Sequence, residues 1–177
     1  MSRFLAFAMH VATPEEAASR IKEYQNRYHD SRHVCWAYML GAKREQWQLN
    51  DNGEPSGTAG KPILGQINSK GLTDVLVVVV RYFGGIKLGT SGLITAYKEA
   101  ARLALDDAGV KECKEMTTVA IEFDYEYMDG IMRVLKGEDL EILSRDFDNI
   151  CSLTFSVPLS DEQRINLLLT DKGARIR

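Results

Sequence analysis

The residues best suited by type and spacing to do chemistry lie between positions 81 and 91: Arg81, Gly84, Gly85, Lys87, Gly89, Thr90 and Ser91. They follow a run of β-branched and aliphatic residues from Val75 to Val80 and precede an apolar-periodic stretch from Leu93 to Asp107. A buried strand that passes through glycines into a helix leaves backbone N–H groups and the positive end of the helix dipole facing a ligand, which attracts an anion. Glycine lets the backbone approach closely, and Arg81 and Lys87 add positive charge. Phosphate is the natural guest. Two nucleotide signatures are excluded: Gly84 to Gly89 has the interval of a Walker A loop, but Thr90 stands where that motif needs lysine, and the glycines do not spell a dinucleotide fingerprint. The competing reading is that these glycines serve only a tight turn.

A second glycine-bearing segment runs from Asp51 to Pro62. Ser56 and Thr58 are expected to cap a short helix near residues 63–67, with Lys61 beside them, making a second anion cradle. Asp51 and Glu54 supply too few oxygens for a dedicated divalent-cation site, so no metal is expected. His33 and Cys35, two apart on a strand, share a face but lack a third orienting group, and a cysteine hydrolase is disfavoured. Trp36, Tyr38 and Trp47 read as core or sheet residues rather than base-stacking platforms. No catalytic residue and no cofactor are assigned.

The elements that must position these groups follow from the rest of the chain. With 177 residues, 45% of them hydrophobic and 27% charged, and 4 prolines, the composition is that of a folded protein, not a disordered tail or disulfide scaffold. Cys35, Cys113 and Cys151 are scattered, which suits a reducing compartment and excludes structural zinc. The apolar run from Phe4 to Met9 stops at His10 before a helix start, so it reads as a strand and not a signal peptide. No stretch approaches the roughly 20 apolar residues of a membrane span, and a cytoplasmic location is expected.

Thr13, Pro14 and Glu16 announce the first helix by a capping box, and Ala17, Ile21, Tyr24 and Tyr28 follow at helical spacing. His33 to Gly41 and Arg44 to Asn50 are expected to pair as a hairpin, and Asp74 to Phe83 to form a central strand covered on both faces. After a linker near residues 110–116 the pattern restarts: strands over Thr117 to Phe123, Leu140 to Phe147 and Ile150 to Val157, helical stripes at Met128 to Leu135 and Ile165 to Leu169, a capping box at Ser160 and Gln163, and a last strand at Ala174 to Arg177. The expected class is α+β in two domains, residues 1–111 and 112–177, the second a ferredoxin-like β-α-β-β-α-β unit. Their charges differ in sign: 14 basic against 11 acidic residues in the first, 8 against 14 in the second.

The strings DNGEPSGTAGKPIL (residues 51–64) and VVVVRYFGGIKLGTSGLITAY (residues 77–97), with His33, Cys35, Trp36, Ala37 and Tyr38, closely resemble the IMPACT family, in particular its bacterial YigZ-type members. The resemblance implies a first domain with the fold of ribosomal protein S-five domain two and a second like a ferredoxin-like domain of elongation factor G. Both relatives touch the ribosome, and eukaryotic members act in translational control through a protein partner. The expectation is therefore an RNA- or ribosome-binding protein with a role in translation regulation, its contacts made by the loop residues above with Lys61, Thr58 and Lys98. Two positions depart from the family pattern: Thr95 stands where arginine is frequent, which weakens the cationic face, and Ser91 where glycine is. The competing functions are a protein-interaction regulator presenting Tyr82, Phe83 and Ile86, and an enzyme on a small phosphorylated substrate, for which Asp51, Glu54 and His33 are the available groups without a recognisable arrangement.

Overall fold

The structure, a computed structural model, describes residues 2–148 and 150–177. The chain divides into two compact units, Met1–Val110 and Lys111–Arg177, each α+β with a four-stranded antiparallel sheet.

In the first unit, β1 (Arg3–His10) leads into α1 (Pro14–Arg27), whose start follows the capping-box logic. Thr13 Oγ1 accepts from the Glu16 amide at 3.1 Å, which satisfies an orphan donor of the first turn, and the Glu16 carboxylate reaches back to the amide of Ala12, just before the N-cap, at 2.9 Å. Next come β2 (His33–Leu40), β3 (Gln46–Asn50), α2 (Gly60–Ser69), β4 (Val75–Tyr82) and α3 (Gly89–Ala108). The sheet order is β1-β4-β2-β3, so the valine-rich β4 lies between two neighbours. Its alternate residues feed two cores. Leu76, Val78 and Val80 pack with Val34, Tyr38 and Ile21 on the α1 side, while Val77 and Val79 pack with Cys35, Ile63, Leu93 and Tyr97 on the α2 and α3 side. Burial on both faces is why the strand shows no polar alternation.

α3 begins at Gly89, four residues before the expected Leu93: the glycine turn closes at Gly89, whose φ is +71°, and Thr90 to Gly92 already belong to the helix. α2 begins at Gly60, not near Ile63, and neither Ser56 nor Thr58 caps it. Its N-cap is Ala59, without a side-chain bond. The cap comes instead from a residue outside the helix, Asp51, as described below.

The second unit comprises β5 (Met116–Phe123), a short 3-10 turn, α4 (Met128–Gly137), β6 (Glu141–Phe147), β7 (Cys151–Pro158), α5 (Glu162–Asp171) and β8 (Arg175–Ile176), with sheet order β6-β7-β5-β8. Val119, Ile121, Phe123, Leu153, Phe155 and Val157 alternate inward against Ile131, Leu135, Ile165 and Leu169 of the two helices. The capping box expected at Ser160 and Gln163 does not form: α5 starts at Glu162, its N-cap Asp161 sits at φ −103° and ψ −8°, and no side chain caps it. Capping oxygens reach the N2 or N3 amide from extended backbone, which Asp161 lacks. No helix among the described residues is long and apolar enough to cross a membrane.

Candidate functional site

The register of the first sheet sets three side chains abreast at one end. Phe4 of β1 and His33 of β2 both stand opposite Arg81 of β4. Arg81 continues the alternation of Val77 and Val79, so it points into the core on the α3 side. It is only 5% exposed. A guanidinium cannot shed its charge there, and burial is tolerable only with a counter-ion. Glu54, from the Asp51–Pro62 loop, supplies it: Arg81 Nη1 donates to Glu54 Oε1 at 2.6 Å. Tyr97 of α3 donates its hydroxyl to the same oxygen at 2.8 Å. Cys35 Sγ lies 3.3 Å from the Tyr97 hydroxyl and 3.0 Å from the Asp51 carbonyl. His33 Nδ1 donates to the Asn52 carbonyl at 2.7 Å, leaving Nε2 3.7 Å from Glu54 Oε2. The Arg81 guanidinium lies over the rings of Phe4 and Phe83, at 5.7 and 5.6 Å from their centroids.

These residues form one buried polar cluster that ties together the end of β4, the 51–62 loop and α3. Burial pushes the Cys35 thiol up to about 12, and its hydrogen bond with Tyr97 only partly offsets this. Burial also raises the Tyr97 phenol well above its ordinary range. A thiol held protonated is a poor nucleophile, and the hydrogen bonds of Glu54 and of His33 Nδ1 tie the 51–62 loop to β4, α3 and β2. At neutral pH a thiol reagent is expected to label one cysteine of the native chain, the exposed Cys113, and to reach buried Cys35 and Cys151 only on unfolding. Native labelling of Cys35 at the rate of Cys113 would show the cluster to be open to solvent.

The 51–62 loop carries a second internal anchor. Asp51 Oδ1 accepts from the amides of Ala59 and Gly60 at 3.0 and 2.8 Å, and Oδ2 from Gly57 at 2.8 Å. Burial works to raise the Asp51 carboxyl, but these amides and the charge of Lys61 outweigh it and hold the carboxyl below its ordinary value. The expected second anion cradle therefore exists, but the protein's own carboxylate fills it. Gly60 is needed because a Cβ there would come within 2.8 Å of Leu49 Cδ1 and 3.1 Å of the Asn50 backbone nitrogen.

The expected site residues consequently separate. Arg81 is withdrawn from any open phosphate site: it is buried and its charge is compensated by Glu54. Thr58 is 1% exposed and donates its hydroxyl to the Pro55 carbonyl at 2.7 Å, so it offers nothing to a ligand. Gly85, Lys87, Gly89, Thr90 and Ser91 are exposed together around the start of α3, with Gly84 half-buried and its amide 3.4 Å from Ser2 Oγ. Gly85 and Gly89 have φ of +85° and +71°, a conformation that favours glycine, and a Cβ at either would meet nothing within 4 Å. The turn thus demands glycine and also leaves the backbone open. The N-cap of α3 is Leu88, with no side-chain cap, unlike the Asp51-capped α2. Lys98 lies exposed two turns beyond Ser91, and Lys61 is exposed at the start of α2. Phe83, Ile86 and Leu88 on the same loop are 48%, 69% and 37% exposed.

Tyr97 and the role of Glu54 were not legible as site features. The available signal was Arg81 itself, a permanent cation at the end of an otherwise apolar buried strand, which requires a buried carboxylate. Trp36 and Tyr38 lie on the α1 side, stacked with ring centroids 5.9 Å apart and planes 3° apart, and Tyr38 is buried.

Comparison with known proteins matches residues 1–105 to the Impact N-terminal domain. The chain is 33% identical over 172 residues to the IMPACT family member YigZ of Escherichia coli, covering 96% of this chain and 84% of that protein. It is 39% identical over 135 residues to the IMPACT family member YvyE of Bacillus subtilis, covering 76% and 62%. A crystal structure of a protein described only as hypothetical superposes with a TM-score of 0.74 at 31% identity, covering 99% of this chain and 87% of the other.

Proposed function

The chain belongs to the IMPACT family, and from that membership we propose that it is an RNA- or ribosome-associated binding protein acting in translation regulation, which grips phosphate at the start of α3. One observation carries the reading: the open glycine turn, the helix start without a side-chain cap and exposed Lys87 coincide at one place, where amide donors, helix dipole and a cation all favour the same negatively charged group. Lys98, about 10 Å along the helix axis from Ser91, suits a second phosphate of the same strand, and half-exposed Phe83 offers a ring for base stacking. A first unit with the fold of ribosomal protein S-five domain two, which the family resemblance implies, would support the same reading. So would the β-α-β-β-α-β order of the second unit, with its sheet order β6-β7-β5-β8, which favours a ferredoxin-like assignment. The acidic second unit would then limit nonspecific RNA contact.

Anisotropy titration of a labelled single-stranded RNA tests this. Exchanging Lys87 and Lys98 for Glu together is expected to weaken binding at least about tenfold and to flatten the slope of log affinity against log salt by about 1 to 2. Unchanged affinity and slope would remove the site. The exposed Phe83, Ile86 and Leu88 favour a second reading, a protein partner docked on this loop. In that case Ile86→Asp abolishes a nuclease-resistant pull-down while the lysine exchanges leave it intact.

A further inference from the structure

β3 ends the first sheet, paired on one side only, to β2. Alternate residues of such an edge turn their N–H and C=O groups outward, a template for another strand, and proteins guard edges with charge, proline, bulges or extreme shortness. Three of the four sheet edges among the described residues carry such guards. β6 bears Glu141, Arg145, Asp146 and a register shift between Ile142 and Ser144; β8 has two residues, one of them Arg175; β1 carries Arg3 and His10 at its ends. β3, Gln46-Trp47-Gln48-Leu49-Asn50, has no charge and no proline at any position.

The order of those five residues says what fits. Laid antiparallel against a second copy of itself about Gln48, the strand sets Gln46 opposite Asn50, Trp47 opposite Leu49 and Gln48 opposite Gln48. Amides then meet amides on one face, and on the other an indole meets an aliphatic side chain, the self-complementarity that a two-fold contact requires. The faces agree with the fold. Gln48 lies across from Tyr38 on the α1 side, whereas Trp47 and Leu49 lie across from Met39 and Ala37 on the α2 side. Leu49 is partly buried there, but Trp47 remains 54% exposed. On the α1 side the edge borders an open groove of about 530 Å³ lined by Ile21, Lys22, Gln25, Trp36, Tyr38 and Gln48. Just beyond the paired residues Glu45 would face Asp51, but the Asp51 carboxylate is turned inward onto three amides.

We propose that β3 is a self-association edge, through which two copies of this chain join antiparallel about Gln48 into one eight-stranded sheet. Five residues span about 17 Å, so the contact is small and the dimer forms reversibly in the micromolar range or above.

Sedimentation of the full chain from low micromolar to about 1 mM is expected to show the mass rising from 19.9 kDa towards twice that value. Trp47→Lys, an exposed edge charge that leaves the core untouched, should raise the dissociation constant at least about tenfold. Register is tested by oxidation in a Cys113→Ser background. Gln48→Cys places two thiols across the axis and should yield a covalent dimer, whereas Gln46→Cys places them about 14 Å apart, beyond disulfide reach, and should not. A single monomeric species at every concentration, association unaffected by Trp47→Lys, or equal crosslinking of the two cysteine variants would each overturn the proposal. So would an edge occupied only by an extended peptide from another protein.

Discussion

Replacing Glu54 by glutamine is expected to cost the first unit about 3 to 5 kcal/mol, although the change is isosteric. The reason lies in what stays behind. Arg81 is 6% exposed at its side chain and Glu54 3%, so the variant leaves a guanidinium in the core without a carboxylate, and an arginine cannot neutralise itself by losing a proton. The Arg81 Nε already lacks a hydrogen-bond partner among the described residues, and Ser2 Oγ, which accepts from Nη2 at 3.2 Å, carries no charge to replace the carboxylate. Arg81→Met should be costly for the mirror reason, stranding the carboxylate. Combining Glu54→Gln with Arg81→Met removes both charges at nearly constant volume, and the double variant should be more stable than either single one, because replacing a buried ion pair by neutral groups is often close to neutral overall. Trp36 and Trp47 are the chain's 2 tryptophans and both lie in the first unit, so urea unfolding followed by tryptophan fluorescence reads that unit directly. Losses below about 1 kcal/mol for both single variants, the range of solvated surface pairs, would mean that water reaches the cluster.

Removing the Asp51 carboxylate with Asp51→Ala is expected to destabilise the same unit by about 2 to 4 kcal/mol, since three charge-assisted bonds to the Gly57, Ala59 and Gly60 amides vanish. Two of those amides belong to buried residues at the start of α2. The effect carries a pH signature with a definite sign. The folded carboxyl titrates below its unfolded value, so its contribution is complete above the unfolded pKa of about 3.9 and is lost as pH falls through the lower folded one. The gap in stability between parent and variant should therefore be constant from neutral pH to about pH 5 and should narrow below about pH 4. A gap that persists unchanged to about pH 2 would assign the effect to packing and not to the charge.

Much of the molecule is legible in its sequence. Alternation and helical spacing gave the strands and helices because burial imposes those periods locally, and the β-branched run of β4 stated its double coverage. Thr13 and Glu16 behaved as their capping box foretold, because every partner lies within four residues. Ser56, Thr58, Ser160 and Gln163 carried comparable local signals and did not cap. For α2 a carboxylate eight and nine residues back, on Asp51, reached the amides first; for α5 the preceding backbone was not extended. The family strings spoke for membership without saying which of their residues face solvent.

The α+β class, the family and the glycine turn before α3 are written in neighbouring residues and could be read there. That Arg81 faces inward while Lys87 is exposed was settled by contacts between distant parts of the chain. That choice depends on strand register, which sets Arg81 on the core side of β4 beside His33 and Phe4, and on Glu54, brought from 27 positions away to meet it. A permanent charge in an apolar strand demands a partner, but the sequence cannot say which carboxylate the fold delivers.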